Sequence, residues 1–443
     1  MVHIITRRGA IAVGAALAAS GLVSFNASAI PIADDVTAPK LPLENGANLR
    51  VLRPTKFVDN DEAIFRENVK QFSEEMKVPV RVDFAGWEDL RPQTAVAANT
   101  GAGPDIIIGW PDDPHIYADK LIEVSDVAEY LGQKYGGWYY LAEKYGKKWG
   151  TNNWLSIPMG GSGAPVVYRQ SWVKEVGFDR IPTDFAQFLT LCKNLKKNGH
   201  PVGFALGNSV CDANGYCSWM LWGCNGYLVD EDGKVAINSR ETLEALRYAR
   251  EMYPTMIEGT ISWQDSNNNK AYINSDIGLT ANGVSIYYSL RNDPRKADIA
   301  ADTNHEPLPT GAFGKAPEAA LILNAMVMKH TKYPNAAKEL LRFMMEQPQY
   351  EKWLAGTAGY WAQPLKAYAE SDVWKSDPKL LAYRDTCGQP CWNGFKGPIS
   401  PASGAVTADY VVVQMFAAVA SGESTPETAA ADAERRAKRY YRA

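Results

Sequence analysis

The residues that could do chemistry in this chain do not form a recognised catalytic pattern. Residues 160–164 (GGSGA) come close to a nucleophile elbow around Ser162, but alanine stands where the second glycine is required. Asp112 and Asp113 could act as an acid and a base, although adjacent side chains usually point to different sides. The histidines beyond residue 29 have no metal-binding spacing; they are His115, His200, His305 and His330. The sequence therefore gives no positive case for an enzyme, a cofactor or a metal ion.

Length, composition and charge describe a folded protein of more than one domain. The chain has 443 residues, of which 46% are hydrophobic and 22% are charged, fractions typical of globular proteins. At about 100–200 residues per domain, we expect two or three domains. Lysine and arginine number 46 against 50 acidic residues, and no basic stripe stands out. Because binding of nucleic-acid phosphates needs such a stripe, the charge pattern argues against a nucleic-acid partner.

The first 29 residues have the pattern of an export signal. Arg7 and Arg8 precede an apolar stretch over residues 9–25, and the small residues ASA follow at 27–29. A charged start, a short apolar run and small residues before a cleavage point are typical of a secretory signal. The paired arginines resemble the twin-arginine variant, and an ordinary Sec signal is the alternative. We expect cleavage after Ala29, followed by an extended leader over residues 30–44.

Six cysteines follow the export signal, which places them in an oxidising compartment. An even number of cysteines in such a compartment favours disulfide bonds over free thiols. The close pairs Cys211/Cys217 and Cys387/Cys391 are the first candidates, which leaves Cys192 and Cys224. Connectivity stays open because six cysteines allow 15 pairings. A zinc site is disfavoured because the spacings are not C-x₂-C and no nearby histidine completes a ligand set.

The spacing of apolar residues predicts alternating strands and helices. In the first part of the chain it predicts a strand at 49–52, a helix at 59–77, a strand at 78–84, a helix at 90–99 and a strand at 105–109. Later it predicts strands at 164–168, 202–206, 277–279 and 320–328, and helices at 184–198, 242–253, 335–345, 349–355, 409–420 and 425–440. This alternation is typical of an α/β fold with a mainly parallel sheet buried between helices.

Short segments spaced along the chain form a recognisable order. They are AANTGAGPDII at 97–107, IPM at 157–159 with VVYR at 166–169, VGF at 176–178 with IPTDF at 181–185, IGLTANG at 277–283, PLP at 307–309, NAAKELLRFM at 335–344 and SG at 421–422 before the closing helix. In this order the segments resemble the family 1 extracellular solute-binding proteins, the maltose-binding-like receptors of ABC importers. The resemblance covers nearly all of the chain beyond the export signal.

The resemblance implies a periplasmic-binding-protein type II fold. In that fold two α/β lobes are joined by crossing hinge segments, and the lobes close on a ligand held in the cleft between them. The implied N-terminal lobe comprises residues 45–164 and 309–363, and the C-terminal lobe comprises 165–308 and 364–443. All six cysteines then fall in the C-terminal lobe, which supports disulfide bonds within one rigid body.

Two predicted strands end next to aromatic and acidic residues. Trp87 follows the strand at 78–84, and Trp110, Asp112 and Asp113 follow the strand at 105–109. Ligands of open α/β sheets bind beyond the carboxyl ends of the strands. We therefore expect an indole ring to stack on the C–H face of a sugar and the carboxylates to accept its hydroxyl groups. The chain's 13 Trp, 22 Tyr and 13 Phe suit such a site, although most aromatic residues fill protein cores.

The resemblance implies further ligand contacts at positions that match cleft residues of the family. They are Thr55, Lys56, Ser162, Tyr216, Trp219, Asn282, Ser285, Tyr287, Trp361, Gln363, Asp409 and Tyr410. A further expected contact is Trp392, in the segment CGQPCWN at 387–393, an insertion that could reshape the cleft. Gly109 and Ser285 stand where the maltose-binding type places aromatic rings, which argues against a long maltodextrin ligand.

The hypothesis that unites these features is an exported, monomeric receptor. It captures a sugar or polyol in the periplasm and delivers it to the permease of an ABC transporter, without covalent chemistry. One alternative keeps the fold but binds a glycerol-phosphodiester or another small polar solute, for which Lys56 is available. A second is a secreted glycan-cleaving enzyme, which needs two carboxylates at the scissile bond. A third is a thiol-redox protein that uses Cys387 and Cys391.

Overall fold

Two separate β-sheets organise the chain. The structure, a computed structural model, describes residues 30–442, so the predicted export signal at 1–29 lies outside the described residues. The strands of the described range are β1 Leu49–Pro54, β2 Val80–Ala85, β3 Ile106–Gly109, β4 Ile157–Ser162, β5 Val166–Arg169, β6 Leu279–Ala281, β7 Thr303–Glu306 and β8 Leu321–Val327. The larger sheet has the order β2-β1-β3-β8-β4 and the smaller sheet the order β6-β5-β7.

The larger sheet is mixed in direction. β1 pairs in parallel with β2 and β3, whereas β8 runs antiparallel to both β3 and β4. Every residue of β3 and β8 is buried, which explains their continuous apolar sequences. The prediction of a mainly parallel sheet therefore holds for β1, β2 and β3 only. The chain reaches β8 from the smaller sheet, so no helical crossover within the larger sheet imposes a parallel direction on it.

The smaller sheet is antiparallel in both of its strand pairings. β5 lies between β6 and β7. The strand predicted at 202–206 is absent from the described sheets, and Val202 makes only isolated bridges to Met256 and Leu279. Gly203 lies within this run and Gly207 follows it, and glycine weakens a strand because it lacks a side chain to pack.

Helices cover both sheets. They are α1 Asp59–Met76, α2 Trp87–Thr100, α3 Asp113–Ile116, α4 Ser125–Lys134, α5 Tyr140–Gly146, α6 Gln170–Glu175, α7 Phe185–Lys197, α8 Asp212–Gly223, α9 Arg240–Met252, α10 Asn267–Ile273, α11 Ser285–Asn292, α12 Ala297–Asp302, α13 Pro334–Met345, α14 Gln347–Gly356, α15 Val373–Ser376, α16 Leu381–Arg384, α17 Pro401–Ala408, α18 Val411–Ala420 and α19 Pro426–Tyr440. The fold is α/β with two lobes, each built on one sheet.

A buried ion pair anchors α1 to the larger sheet. Arg53 at the end of β1 donates to Asp61 in the first turn of α1 at 2.6 Å, and both side chains are buried. Trp353 of α14 donates its indole N–H to the other oxygen of Asp61 at 2.8 Å. A carboxylate near a helix N-terminus is also favoured by the helix dipole. These contacts fix the amino end of α1 beside the carboxyl edge of the sheet.

Three chain segments run between the lobes. Residues 163–165 link β4 to β5, and residues 307–320 link β7 to β8. The third segment starts beside β4, where Gly161 and Ala362 exchange backbone hydrogen bonds of 2.8 Å. Tyr368 then stacks on Tyr135 of the larger-sheet lobe at 5.0 Å, whereas Lys379 donates to the carbonyl of Ala300 in the other lobe.

The predicted helix at 409–420 corresponds to α18, and the structure has a further helix before it, α17, that the apolar spacing does not predict. Tyr410 has φ 52°, a left-handed conformation that separates α17 from α18. By length and composition residues 401–420 are apolar enough to cross a membrane. Here α18 packs against α8, α9 and α19, so its apolar residues belong to the core of the smaller-sheet lobe.

The predicted disulfide pairs are not formed: all six cysteines lie in the described range and all are free. Cys211 immediately precedes α8 and Cys217 lies within it. Six residues of α-helix span about 9 Å, which exceeds the reach of a disulfide. Cys387 and Cys391 are buried in two different hydrophobic clusters. The remaining two, Cys192 and Cys224, are likewise unpaired.

Candidate ligand-binding cleft

A cavity of about 370 Å³ lies between the two lobes. One wall comes from α2 and the segment after β3, and the other from α8, residues 319–321 and the segment 393–410. Its volume lies in the lower part of the range for small-molecule sites. The lining residues are Trp87, Glu88, Arg91, Pro92, Ala95, Trp110, Pro111, Asp112, Val210, Cys211, Asn214, Gly215, Ala319, Ala320, Leu321, Asn393, Thr407, Ala408 and Tyr410.

Two indole rings contribute to the apolar part of this lining. Trp87 begins α2 and Trp110 follows β3, and their ring centroids are 4.9 Å apart with an interplanar angle of 46°. Trp87 is held in place because its indole N–H donates to the carbonyl of Thr55 at 2.9 Å and Trp361 stacks behind it at 6.5 Å. The indole N–H of Trp110 is buried and has no hydrogen-bond partner among residues 30–442.

The neighbouring carboxylates have different surroundings. Asp113 accepts hydrogen bonds from the Trp110 backbone N–H at 2.8 Å and from Arg91 at 3.2 Å. Asp112 accepts one from the Asn393 side chain at 2.6 Å, while its Oδ1 is buried without a partner in the described chain. Burial raises the pKa of Asp112 to about 6, against the opposing effects of Asn393 and Arg91. Asp113 thus orders the loop, whereas Asp112, which lines the cavity, keeps one acceptor atom without a partner in the described chain.

Gly109 explains how Asp113 comes so close to the strand. A Cβ atom at this position would lie 2.6 Å from Oδ2 of Asp113 and 3.2 Å from the Met326 side chain. Such distances are shorter than van der Waals contact, so glycine is required for this packing. An aromatic ring at residue 109, as in the maltose-binding type, is incompatible with the Asp113 contact.

The opposite wall depends on the amino end of α8. The backbone N–H groups of Val210, Cys211 and Asp212 donate to the carboxylate of Asp265 at 2.9, 3.0 and 2.7 Å. These are N–H groups that a helix start leaves without intrahelical partners. Asp265 therefore fixes the helix turn that presents Asn214 to the cavity.

Four of the residues predicted from the sequence line the cavity: Trp87, Trp110, Asp112 and Tyr410. Tyr410 enters it from the left-handed position between α17 and α18. Three more predicted residues support the lining from behind, namely Thr55 as acceptor for Trp87, Asp113 as acceptor for Trp110, and Trp361 as the ring stacked on Trp87.

Tyr216 and Trp219, expected in ligand-contacting loops, lie instead on α8 and are buried in the smaller-sheet lobe. Tyr216 stacks on Phe204 at 4.4 Å, and Trp219 donates to the carbonyl of Pro309 at 2.8 Å.

The other predicted residues lie outside the cavity lining and have partners elsewhere. Ser162 is buried at the end of β4 against Gly283, and Asn282 donates to Ser285 at 3.0 Å. Side chains that form hydrogen bonds elsewhere are those of Lys56 with Asp59, Tyr287 with Asp377, Gln363 with the carbonyl of Arg384, Trp392 with the carbonyl of Gly397, and Asp409 with Tyr440.

Sequence reasoning missed five polar lining residues: Glu88, Arg91, Asn214, Asn393 and Thr407. Glu88 and Arg91 share the first turns of α2 with Trp87, so the helix position of Trp87 was a usable signal. Asn393 is adjacent to Trp392, and the sequence argument favours Trp392 as the ligand contact of this segment. Asn214 carries no local signal because the helix around it was not predicted.

The fold is similar to those of several solved sugar- and polyol-bound proteins. Maltose-bound MalE3 of T. maritima is 16% identical, with a TM-score of 0.76 and coverage of 88% of this chain and 99% of that one. A sugar transporter protein of Arthrobacter chlorophenolicus A6 with bound laminaribiose is 17% identical, with a TM-score of 0.76 and coverage of 89% and 99%. A solute-binding protein of Agrobacterium radiobacter K84 in complex with ribitol is 15% identical, with a TM-score of 0.73 and coverage of 89% and 98%.

The sequence itself identifies a family. No curated protein matches the chain. Residues 67–382, which include strands β2 to β8 and most of the cavity lining, match the family described as bacterial extracellular solute-binding protein. Both the sequence match and the two-lobe fold agree with the resemblance drawn from the short motifs. The chain belongs to the bacterial extracellular solute-binding protein family.

Proposed function

We propose that this protein binds a carbohydrate or polyol between its lobes and delivers it to the permease of an ABC transporter. The observation that carries the proposal is the combination of Trp87 and Trp110 with the unpartnered Oδ1 of Asp112 in one interlobe cavity. Indole faces suit the C–H faces of sugar rings, and a buried acceptor without a partner gains a hydrogen bond from a ligand hydroxyl.

The cavity size and the charges around it narrow the ligand class. About 370 Å³ suits a monosaccharide, a small oligosaccharide or a polyol. Arg91 lines the cavity, and the buried carboxylate of Asp113 pairs with its Nε at 3.2 Å and offsets its charge. A phosphodiester would need an arginine or lysine free to pair with it. These contacts favour an uncharged polyhydroxyl ligand over the glycerol-phosphodiester alternative.

The location and the lobe boundaries form part of the same proposal. Because the family is extracellular, the protein acts outside the cytoplasm. We propose export to the periplasm, removal of residues 1–29 and action as a monomer. The lobe boundaries at 164/165, 308/309 and 363/364 stay predictions, supported at the first two positions by the passage of the chain from one sheet to the other.

A thermal-shift screen of residues 30–443 tests the proposal. The panel contains monosaccharides, disaccharides, polyols and glycerol-phosphodiesters. A ligand present at 100 times its Kd adds about 2.7 kcal/mol to the free energy of unfolding, which gives a clear rise in Tm. We expect a rise with one carbohydrate class and recovery of that carbohydrate unchanged. A rise with phosphodiesters alone, or conversion of the sugar, would contradict the proposal.

A further inference from the structure

A second, much smaller chamber opens behind the wall of the interlobe cavity. Its volume is about 10 Å³, close to the space that one water-sized group occupies. Gly215 and Ala319 line both the chamber and the main cavity, so the two spaces are neighbours. The polar side chains that line the chamber are those of Asp212, Tyr216 and Glu318.

Two of these three side chains present acceptor atoms that have no partner in the described chain. Tyr216 is 4% exposed, and its hydroxyl has no hydrogen-bond partner within residues 30–442. Oδ2 of Asp212 is buried and also lacks a partner there. Glu318 is 3% exposed and accepts hydrogen bonds from the Ala164 backbone N–H at 2.5 Å and from Gln389 at 3.3 Å. Stacking on Phe204 at 4.4 Å holds the Tyr216 ring in place.

The charged and titratable groups around the chamber are all acidic. Asp265 and Cys211 face Asp212 from outside it, but the Asp265 carboxylate is occupied by the amino end of α8. None of the described lining residues is basic. Burial raises the pKa of Asp212 well above its usual range and that of Glu318 to about 7. Ionising two buried carboxyl groups costs free energy when no cation is nearby, and a bound cation would lower that cost.

Gly215 keeps the passage between the two spaces open. It lies in the middle of α8, where glycine is less favourable than alanine. A Cβ atom built on Gly215 would meet no atom within 4 Å, so nothing in the packing of α8 requires glycine at this position. The absence of a side chain at residue 215 is explained if a ligand group passes this point on its way into the chamber.

We infer that the chamber receives the ammonium group of an aminated carbohydrate, an amino sugar or aminocyclitol, whose ring lies in the main cavity. The inference rests on the proposed function and specifies its ligand class. An ammonium group has three donors and no acceptor, which matches two carboxyl groups and a phenol oxygen. Hard divalent cations take six or more oxygen ligands, more than these three side chains supply.

The test compares each amine with its neutral parent. Binding of glucosamine, galactosamine and mannosamine to residues 30–443 is measured by tryptophan fluorescence and calorimetry, beside glucose, galactose, mannose and the N-acetylated forms. We expect at least one amine to bind about tenfold or more tightly than both its parent sugar and its N-acetyl form, because hydrogen bonds to charged groups are the stronger kind. Binding should also release protons from the chamber in calorimetry with buffers of different ionisation enthalpy.

Two variants and a matched control locate the effect. Asp212→Asn and Glu318→Gln should each abolish the preference for the amine over its parent sugar. Glu231→Gln removes one carboxylate from an exposed loop of the same lobe and should leave the preference intact. The comparison of amine with parent sugar in the unmodified protein stands even if a chamber variant fails to fold.

Each alternative result has a defined meaning. Neutral sugars that bind as tightly as every amine would overturn the inference and leave the proposed function in place. An amine preference that survives both chamber variants would overturn it as well. Absence of binding by every carbohydrate, aminated or not, would overturn the inference together with the proposed function.

Discussion

At the scale of single residues, Trp87 is the side chain whose shape matters most for a sugar ligand. Its ring is fixed by Thr55 and Trp361 and lines the cavity. Trp87→Leu keeps an apolar side chain but removes the flat face, so we expect a loss of about 1–2 kcal/mol, or roughly 5- to 30-fold in Kd. Calorimetric titration of the variant and of wild type with the same sugar measures this change in Kd. Trp149→Leu, which alters a ring outside the cavity, is the control, and equal Kd values for the two variants would refute a stacking role.

Asp112 adds a pH dependence whose sign follows from its surroundings. Burial raises its pKa from 3.8 to about 6, so the folded state holds the proton more tightly than the unfolded chain. The stability that this proton contributes is complete below pH 4 and is lost as the pH rises through 6. Asp112→Asn cannot titrate, so its stability relative to wild type should improve by up to about 3 kcal/mol between pH 4 and pH 7. Urea unfolding without ligand tests this; a pH-independent difference would contradict it.

Residues that follow strands could be predicted as site residues, and those that depend on distant contacts could not. Trp87, Trp110 and Asp112 come directly after β2 and β3, where the edge of an α/β sheet places a cleft. Asn393 reaches the same cavity only because its segment packs against Tyr145, 248 residues away in sequence. No local pattern records such a contact, so this part of the site required the structure.

At the scale of elements, the start of α8 determines one wall of the cavity. Asp265 accepts three backbone N–H groups there and is 5% exposed. Asp265→Ala leaves those donors buried and unpaired, so we expect a loss of about 2–4 kcal/mol in the free energy of unfolding. Asp265→Asn retains one acceptor oxygen and should lose less than half of that. Chemical denaturation of both variants checks the order, and equal losses would show that the cap is not the cause.

Periodicity separates the helices that could be predicted from those that could not. The apolar spacing predicts α1 at 59–77 and the helix spans Asp59–Met76, because Phe65, Val69 and Phe72 face the core at regular steps while the other side is charged. α8 is apolar on most of its circumference and contains Gly215 and several aromatic residues, so no single face stands out. Burial on all sides removes the pattern that identifies a helix.

At the scale of the whole molecule, the contact between α17 and α3 joins the two lobes beside the cavity. Gly404 of α17 approaches α3 so closely that a Cβ atom would lie 2.6 Å from Ile116 and 2.9 Å from Asp112. α17 also packs on α18 and α19, so this approach depends on the relative position of the lobes. The described arrangement therefore requires glycine at residue 404.

A larger residue at this position should shift the molecule toward a more open form. Affinity falls in proportion to the fraction of molecules that can adopt the closed arrangement. Gly404→Val lowers that fraction, so it should raise Kd by about tenfold or more without changing the chemistry of the cavity. X-ray scattering should give a larger radius of gyration for the variant with ligand than for wild type with ligand. Glu231→Gln changes an exposed side chain away from the cavity and the chamber, and it should leave the radius unchanged. If Gly404→Val closes as fully as wild type, lobe approach at α17 is not what sets the affinity, and the aromatic and acidic lining must account for it alone.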